Sequence, residues 1–113
     1  MIRKKVTIPA GSGRVSELMP VAYDEVQLVA VVLDGAITGT ALSFKTLATD
    51  NSTLVPVKQK GSASDYTIAP PGSGGGLVPV DETLFRGVES VAIASNADEV
   101  SARTVVLVFA DAG

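Results

Sequence analysis

Apolar and polar residues alternate along much of the chain in short runs rich in Val, Ile and Thr, punctuated by Gly, Pro, Asn and Asp. A period of two with such boundaries predicts strands that each turn one face to a core. In RKKVTIP, Val6 and Ile8 share a face and Lys5 and Thr7 the other, and GSGR then turns the chain toward a short strand over 15–18. TALSFKTLA sends Leu42 and Phe44 inward and Ser43 and Lys45 outward. TDNS is a turn, because Asp and Asn side chains can bond their own backbone. Pro56 cannot donate to a ladder, which puts TLVPVKQ at an edge or a bulge. SDYTIAP places Tyr66 and Ile68 together, and Pro70 to Gly76 reads as an exposed loop. Asp81 caps a short helical turn in which Leu84 and Phe85 plug the core. VESVAIAS aligns Val91 with Ile93. Roughly seven or eight strands without a long helix predict an all-β, two-sheet antiparallel sandwich. The expected topology is jelly-roll-like over residues 1–113 as one domain, with an immunoglobulin-like sandwich as the alternative.

Two runs break the alternation because neither of their faces is polar. In DEVQLVAVVLDG, residues 24–35, a strand over 25–33 turns Val26, Leu28 and Val32 one way and Val29, Val31 and Leu33 the other. Asp34-Gly35 suits a tight turn, so residues 40–48 are the expected hairpin partner. In ARTVVLVFA, Val105, Leu107 and Phe109 oppose Val106 and Val108. A small core covers one face of each strand, and leaving Val29, Val31 and Leu33 wet forfeits about 5 kcal/mol. Either the loop between Lys58 and Val80 folds over that second face or another subunit does. Val29, Val31, Leu33, Val106 and Val108 are therefore candidate interface residues. Arg3, Lys4 and Lys5 join them as a basic arm suited to an acidic partner surface, or else form a solvated strand face.

Composition narrows the chemistry. The 113 residues include no Cys and no His, and only 4% are aromatic. Thiolate and imidazole catalysis, disulfides and the usual zinc ligands are thereby removed. The net charge of −3 gives the whole molecule no attraction to phosphate backbones. No apolar stretch suits a signal peptide or a membrane span. GSGGG lacks the Lys of a phosphate-binding loop, and Leu77 stands where a dinucleotide motif needs its last glycine. Two acidic clusters, Asp50 in TDNS and Asp98-Glu99 in SNADE, are better explained by turn chemistry than by calcium. A carboxylate pair for glycoside hydrolysis would lack aromatic platforms, since Tyr23 and Tyr66 are the only tyrosines. Arg103 is expected to form an exposed salt bridge with Glu89 or Glu99. No enzyme activity, cofactor, metal, nucleic acid, membrane or small-molecule substrate is expected.

DETLFRGVESVAIASNADEVSARTVVLVFA resembles a pattern of small virion proteins of tailed bacteriophages: a Phe-x-Gly turn, a strand ending in Ser, a polar loop and an Arg-led last strand. The matching positions are Phe85, Gly87, Val91, Ile93, Ser95, Arg103, Val105 and Leu107. ALSFKTLATDNSTLVPV is similar to the region that precedes the pattern, while PPGSGGG and the basic start depart from it. The resemblance implies a capsid cement or decoration protein, homo-oligomeric, bound to the major capsid protein on the virion surface and made in the host cytoplasm. A tail- or fibre-associated carbohydrate-binding or adaptor module is the alternative.

Overall fold

The structure, a computed structural model, describes residues 2–20, 26–86 and 88–111. Tyr23, Asp24, Glu25 and Gly87 of the sequence readings lie outside them. The described strands are β1 (Ile2–Ile8), β2 (Met19–Pro20), β3 (Val26–Leu33), β4 (Leu42–Leu47), β5 (Leu54–Pro56), β6 (Thr67–Ile68), β7 (Gly76–Pro79), β8 (Ser90–Ser95) and β9 (Arg103–Asp111). One 3₁₀ turn, Glu82–Phe85, stands between β7 and β8. Its N-cap is Asp81, whose carboxylate accepts from the Thr83 N–H.

Two antiparallel sheets result, ordered β1-β9-β3-β7 and β2-β8-β4-β5, with β6 paired to β4. The pairs β1–β9, β2–β8, β3–β7 and β4–β5 nest inside one another. The chain is thus one long hairpin rolled into a sandwich, the wiring of a jelly roll. An immunoglobulin-like sandwich would put its first two strands side by side. Here β1 and β2 fall in different sheets.

The alternating runs fold as their periodicity predicts. Val6, Ile8, Leu42, Phe44, Val91, Ile93, Val105 and Leu107 are all buried between the sheets. Phe85 closes the core edge-on to Phe44, with ring centroids 5.1 Å apart. Pro56 ends an edge strand.

Three expectations are corrected. First, β4 is not the hairpin partner of β3. Residues 36–41 carry the chain across the end of the sandwich, and β4 joins the opposite sheet. Second, residues 14–16 bond to β8 through the Arg14 carbonyl and the Ser16 N–H, but regular pairing begins only at Met19.

The third correction concerns Val29, Val31 and Leu33. A β-bulge shifts the β3–β9 register between Leu28 and Ala30. An extra residue in one strand reverses the phase of everything after it. Leu28, Val31 and Leu33 consequently share the core face, opposite Phe109, Leu107 and Val105. Val31 and Leu33 are buried within the lone chain, and Val29 is half-buried at the bulge, where its carbonyl accepts from Val80 N–H. The loop from Lys58 to Val80 does not cover β3. Its end becomes β7 and extends the sheet beside β3.

The glycine loop is anchored at one point. Gly75 adopts φ +71°, and a β-carbon there would collide with the Asp34 carbonyl. Gly75→Ala is expected to destabilise the fold by about 1–3 kcal/mol, whereas Gly74, with open space around it, should tolerate Ala with a change within about 0.5 kcal/mol. Urea unfolding of the two variants checks this.

Candidate interaction face

The register places the outer face of the first sheet residue by residue, because directly opposed residues of an antiparallel pair point to the same side. Leu77 of β7 lies opposite Val32 of β3, Val32 opposite Val106 of β9, and Val106 opposite Lys5 of β1. The adjacent row runs Pro79, Ala30, Val108, Arg3 in the same strand order. Each row is apolar over three strands and ends on an exposed cation at the edge strand. Leu77 is 58% exposed, Pro79 is exposed, and Val32 and Val106 are half-buried. Ala30 and Val108, within the second row, are already shielded in the lone chain.

Of the residues expected at an interface, the structure brings together Arg3, Lys5, Val106 and Val108. Lys4 faces the core side of β1 opposite Leu107 and is half-buried. Val31 and Leu33 are replaced on this face by Ala30 and Val32. Leu77 and Pro79 could not be found from the sequence, since they follow a glycine-rich stretch that gives no pairing signal. With strands about 4.8 Å apart, the accessible apolar row from Leu77 to Val106 spans roughly 10 Å across the sheet. A stable protein interface needs about 800 Å² per partner. The rows can therefore serve as the centre of a contact whose remaining area comes from the surrounding strands.

The most heavily built polar group lies at the end of the sandwich. Glu99 is enclosed, and its Oε1 accepts from Thr38 N–H at 2.8 Å and Arg103 Nε at 2.9 Å. Oε2 accepts from Gly39 N–H at 2.9 Å and Ser95 Oγ at 2.8 Å. Burial by itself would raise the carboxyl's pKa, yet these donors bring it down to about 2. The expected exposed pair is thus an enclosed ion that stitches the crossing segment after β3 to the loop after β8. Beside it, Asn96 Oδ1 accepts from Thr40 N–H at 2.9 Å, and a β-carbon on Gly39 would strike Ser95 Oγ.

The other acidic groups are engaged locally. Asp50 accepts from the Ser52 and Thr53 N–H groups and from Thr53 Oγ1, chiefly the last, which holds it well below the usual carboxylate range. Asp98 pairs with Arg14 at 2.6 Å. Among the described residues no three His, Cys, Asp or Glu side chains converge as a metal site. The Tyr66 ring stacks at 6.0 Å from Phe44, and its hydroxyl accepts from Asp81 N–H at 2.8 Å, so it offers no free platform. Among the described residues no helix is long and apolar enough to cross a membrane.

These features define a β-sandwich with jelly-roll wiring and a half-apolar sheet face bordered by cations. In comparisons with family models, curated proteins and solved structures, nothing matches the chain.

Proposed function

We propose that this chain is a capsid cement protein, a non-catalytic module that seats the outer face of its first sheet on an assembled shell of the major capsid protein. The observation that carries this reading is the row Leu77, Val32, Val106, whose accessible apolar side chains meet the cation Lys5, with Arg3 beside it. Exposed apolar strips rimmed by polar residues mark association surfaces. Jelly rolls occur in virion proteins and in lectins alike, so the fold alone does not choose between partners. The choice of a shell rests on the resemblance of the C-terminal half to small phage virion proteins. Copies on neighbouring lattice positions, on the virion surface, complete the proposal.

A ligand that binds only the assembled state stabilises it by RT ln(1 + [L]/Kd), about 2.7 kcal/mol at a hundredfold excess over Kd. Shells carrying the protein should rupture at a higher temperature than shells without it, as scanning fluorimetry with a nucleic-acid dye reports. Leu77→Asp removes the most exposed apolar side chain of the strip and should weaken shell binding about tenfold or more, with the melting temperature of the free protein unchanged. Equal rupture temperatures with and without the wild-type protein would refute the cement role.

A further inference from the structure

The basic border of the face is also an open sheet edge. β1 ends its sheet and pairs only with β9 among the described strands. Thr7 N–H points away from β9, since the Glu17 carboxylate accepts it. Backbone direction repeats every two residues, so the N–H and C=O of Lys5 and Arg3 face the same edge. Outside the β1–β9 ladder, no described residue accepts a hydrogen bond from either N–H. At Thr7 the chain itself satisfies this edge with a carboxylate, the side chain of Glu17.

Charge selects the occupant. Three of the nine Lys and Arg residues fall at positions 3–5, and β1 has no Asp or Glu although the whole chain is net −3. We propose that the edge of β1 over Arg3 to Lys5 receives an extended acidic segment of the partner as an added strand. The inference rests on the docking role above and names the chemistry of one contact within it.

A strand edge offers alternating donors and acceptors, which an extended peptide matches with its own alternation. A phosphate backbone supplies acceptors alone and leaves the outward carbonyls of Arg3 and Lys5 unpaired. Lysines on an edge also discourage pairing. Here they exclude a second copy of β1, which is equally basic, and they attract a strand whose side chains are Glu or Asp.

The test uses isotope-labelled full-length protein and amide hydrogen exchange at Arg3 and Lys5. The probe is a capped peptide of about eight alternating Glu and Val residues, long enough to span the open edge. It is compared with an alternating Lys and Val peptide, with the acidic peptide N-methylated at every second residue, and with an oligothymidylate of similar length. Only the unmodified acidic peptide should slow exchange at both positions, by about tenfold at saturation. Arg3→Glu with Lys5→Glu should abolish that slowing. Unchanged exchange with the acidic peptide, or equal slowing by the N-methylated peptide or the oligonucleotide, overturns the inference. Shell binding of the wild type is measured in parallel. Shells that bind while the edge stays unprotected by peptide remove the edge contact alone. Protection by peptide without shell binding removes the cement role alone.

Discussion

Replacing Glu99 with Ala is expected to cost about 3–5 kcal/mol, because it removes a buried carboxylate that satisfies four donors, among them the half-buried Arg103. Arg103 would lose its carboxylate, and the N–H groups of Thr38 and Gly39 would lose their acceptor, that of Gly39 in a buried position. For a domain of this size the loss corresponds to a fall in melting temperature of roughly 10–20 °C, read by circular dichroism. Glu99→Gln keeps the shape but turns an NH₂ group toward donors, so it should fall between Ala and wild type. The same site sets an acid limb. Its folded pKa of about 2 lies below the ordinary 4.5, so its stabilisation is full above pH 4.5 and disappears as pH falls through 2. A depression of that size is worth roughly 3 kcal/mol. Asp50 and Asp65 are depressed too, through hydrogen bonds from Thr53 and Lys58. The diagnostic quantity is therefore the difference between wild type and Glu99→Gln. That difference should shrink steadily between pH 5 and pH 2, and a constant difference would show that the carboxylate's charge is not what stabilises the site.

Glu99 also shows where sequence reading stops. Its spacing allowed an ion pair with Arg103, with Glu89 as the other candidate, but its burial depends on the segment at 36–41 crossing the sandwich to meet it, and no local signal reports that crossing. Asp34-Gly35 looks like a hairpin turn because turn chemistry is local, whereas the choice between continuing in the same sheet and crossing to the other is tertiary. β1 and β4 could be placed correctly because each has one polar face. Val6 with Ile8 and Leu42 with Phe44 each have only one way to face a core, whereas β8 is buried along its whole length and is placed by its larger side chains, Val91 and Ile93. The capped turn before Phe85 was legible for a similar reason, since Asp81 and the apolar pair after it constrain each other.

In β3 the period carries little phase information, because every residue after Gln27 is apolar and a bulge there buries no further polar side chain. The site suffered accordingly. Arg3 and Lys5 lie on a strand whose own alternation fixes their face, whereas Val106 and Val108 lie on a strand that is apolar on both sides and take their face from pairing with β1. Ala30 is too small to stand out, and Leu77 and Pro79 depend on the pairing of β7 with β3. That pairing in turn depends on Gly75 approaching Asp34.

The bulge makes neighbouring residues of β3 do different jobs, and the contrast is measurable. Val31→Asp is expected to prevent folding. Val31 is fully buried opposite Leu107, and an unpaired carboxylate there costs several kcal/mol on top of the lost apolar contact, comparable to the total stability of a small domain. Val32→Asp should fold. Its side chain is half-buried on the outer face between Leu77 and Val106, so the cost is about 1–2 kcal/mol from β propensity and partial burial. What Val32→Asp should lose is shell binding, because the carboxylate would have to be desolvated at the centre of the contact without a partner. Had the alternation continued unbroken from Leu28, the two outcomes would be exchanged, with Val32 in the core and Val31 outside. Circular dichroism and sedimentation with shells, applied to both variants, test the register and the docking face together. A folded Val31→Asp would contradict the bulge, and a folded Val32→Asp that binds shells as tightly as wild type would leave the outer face without its proposed role.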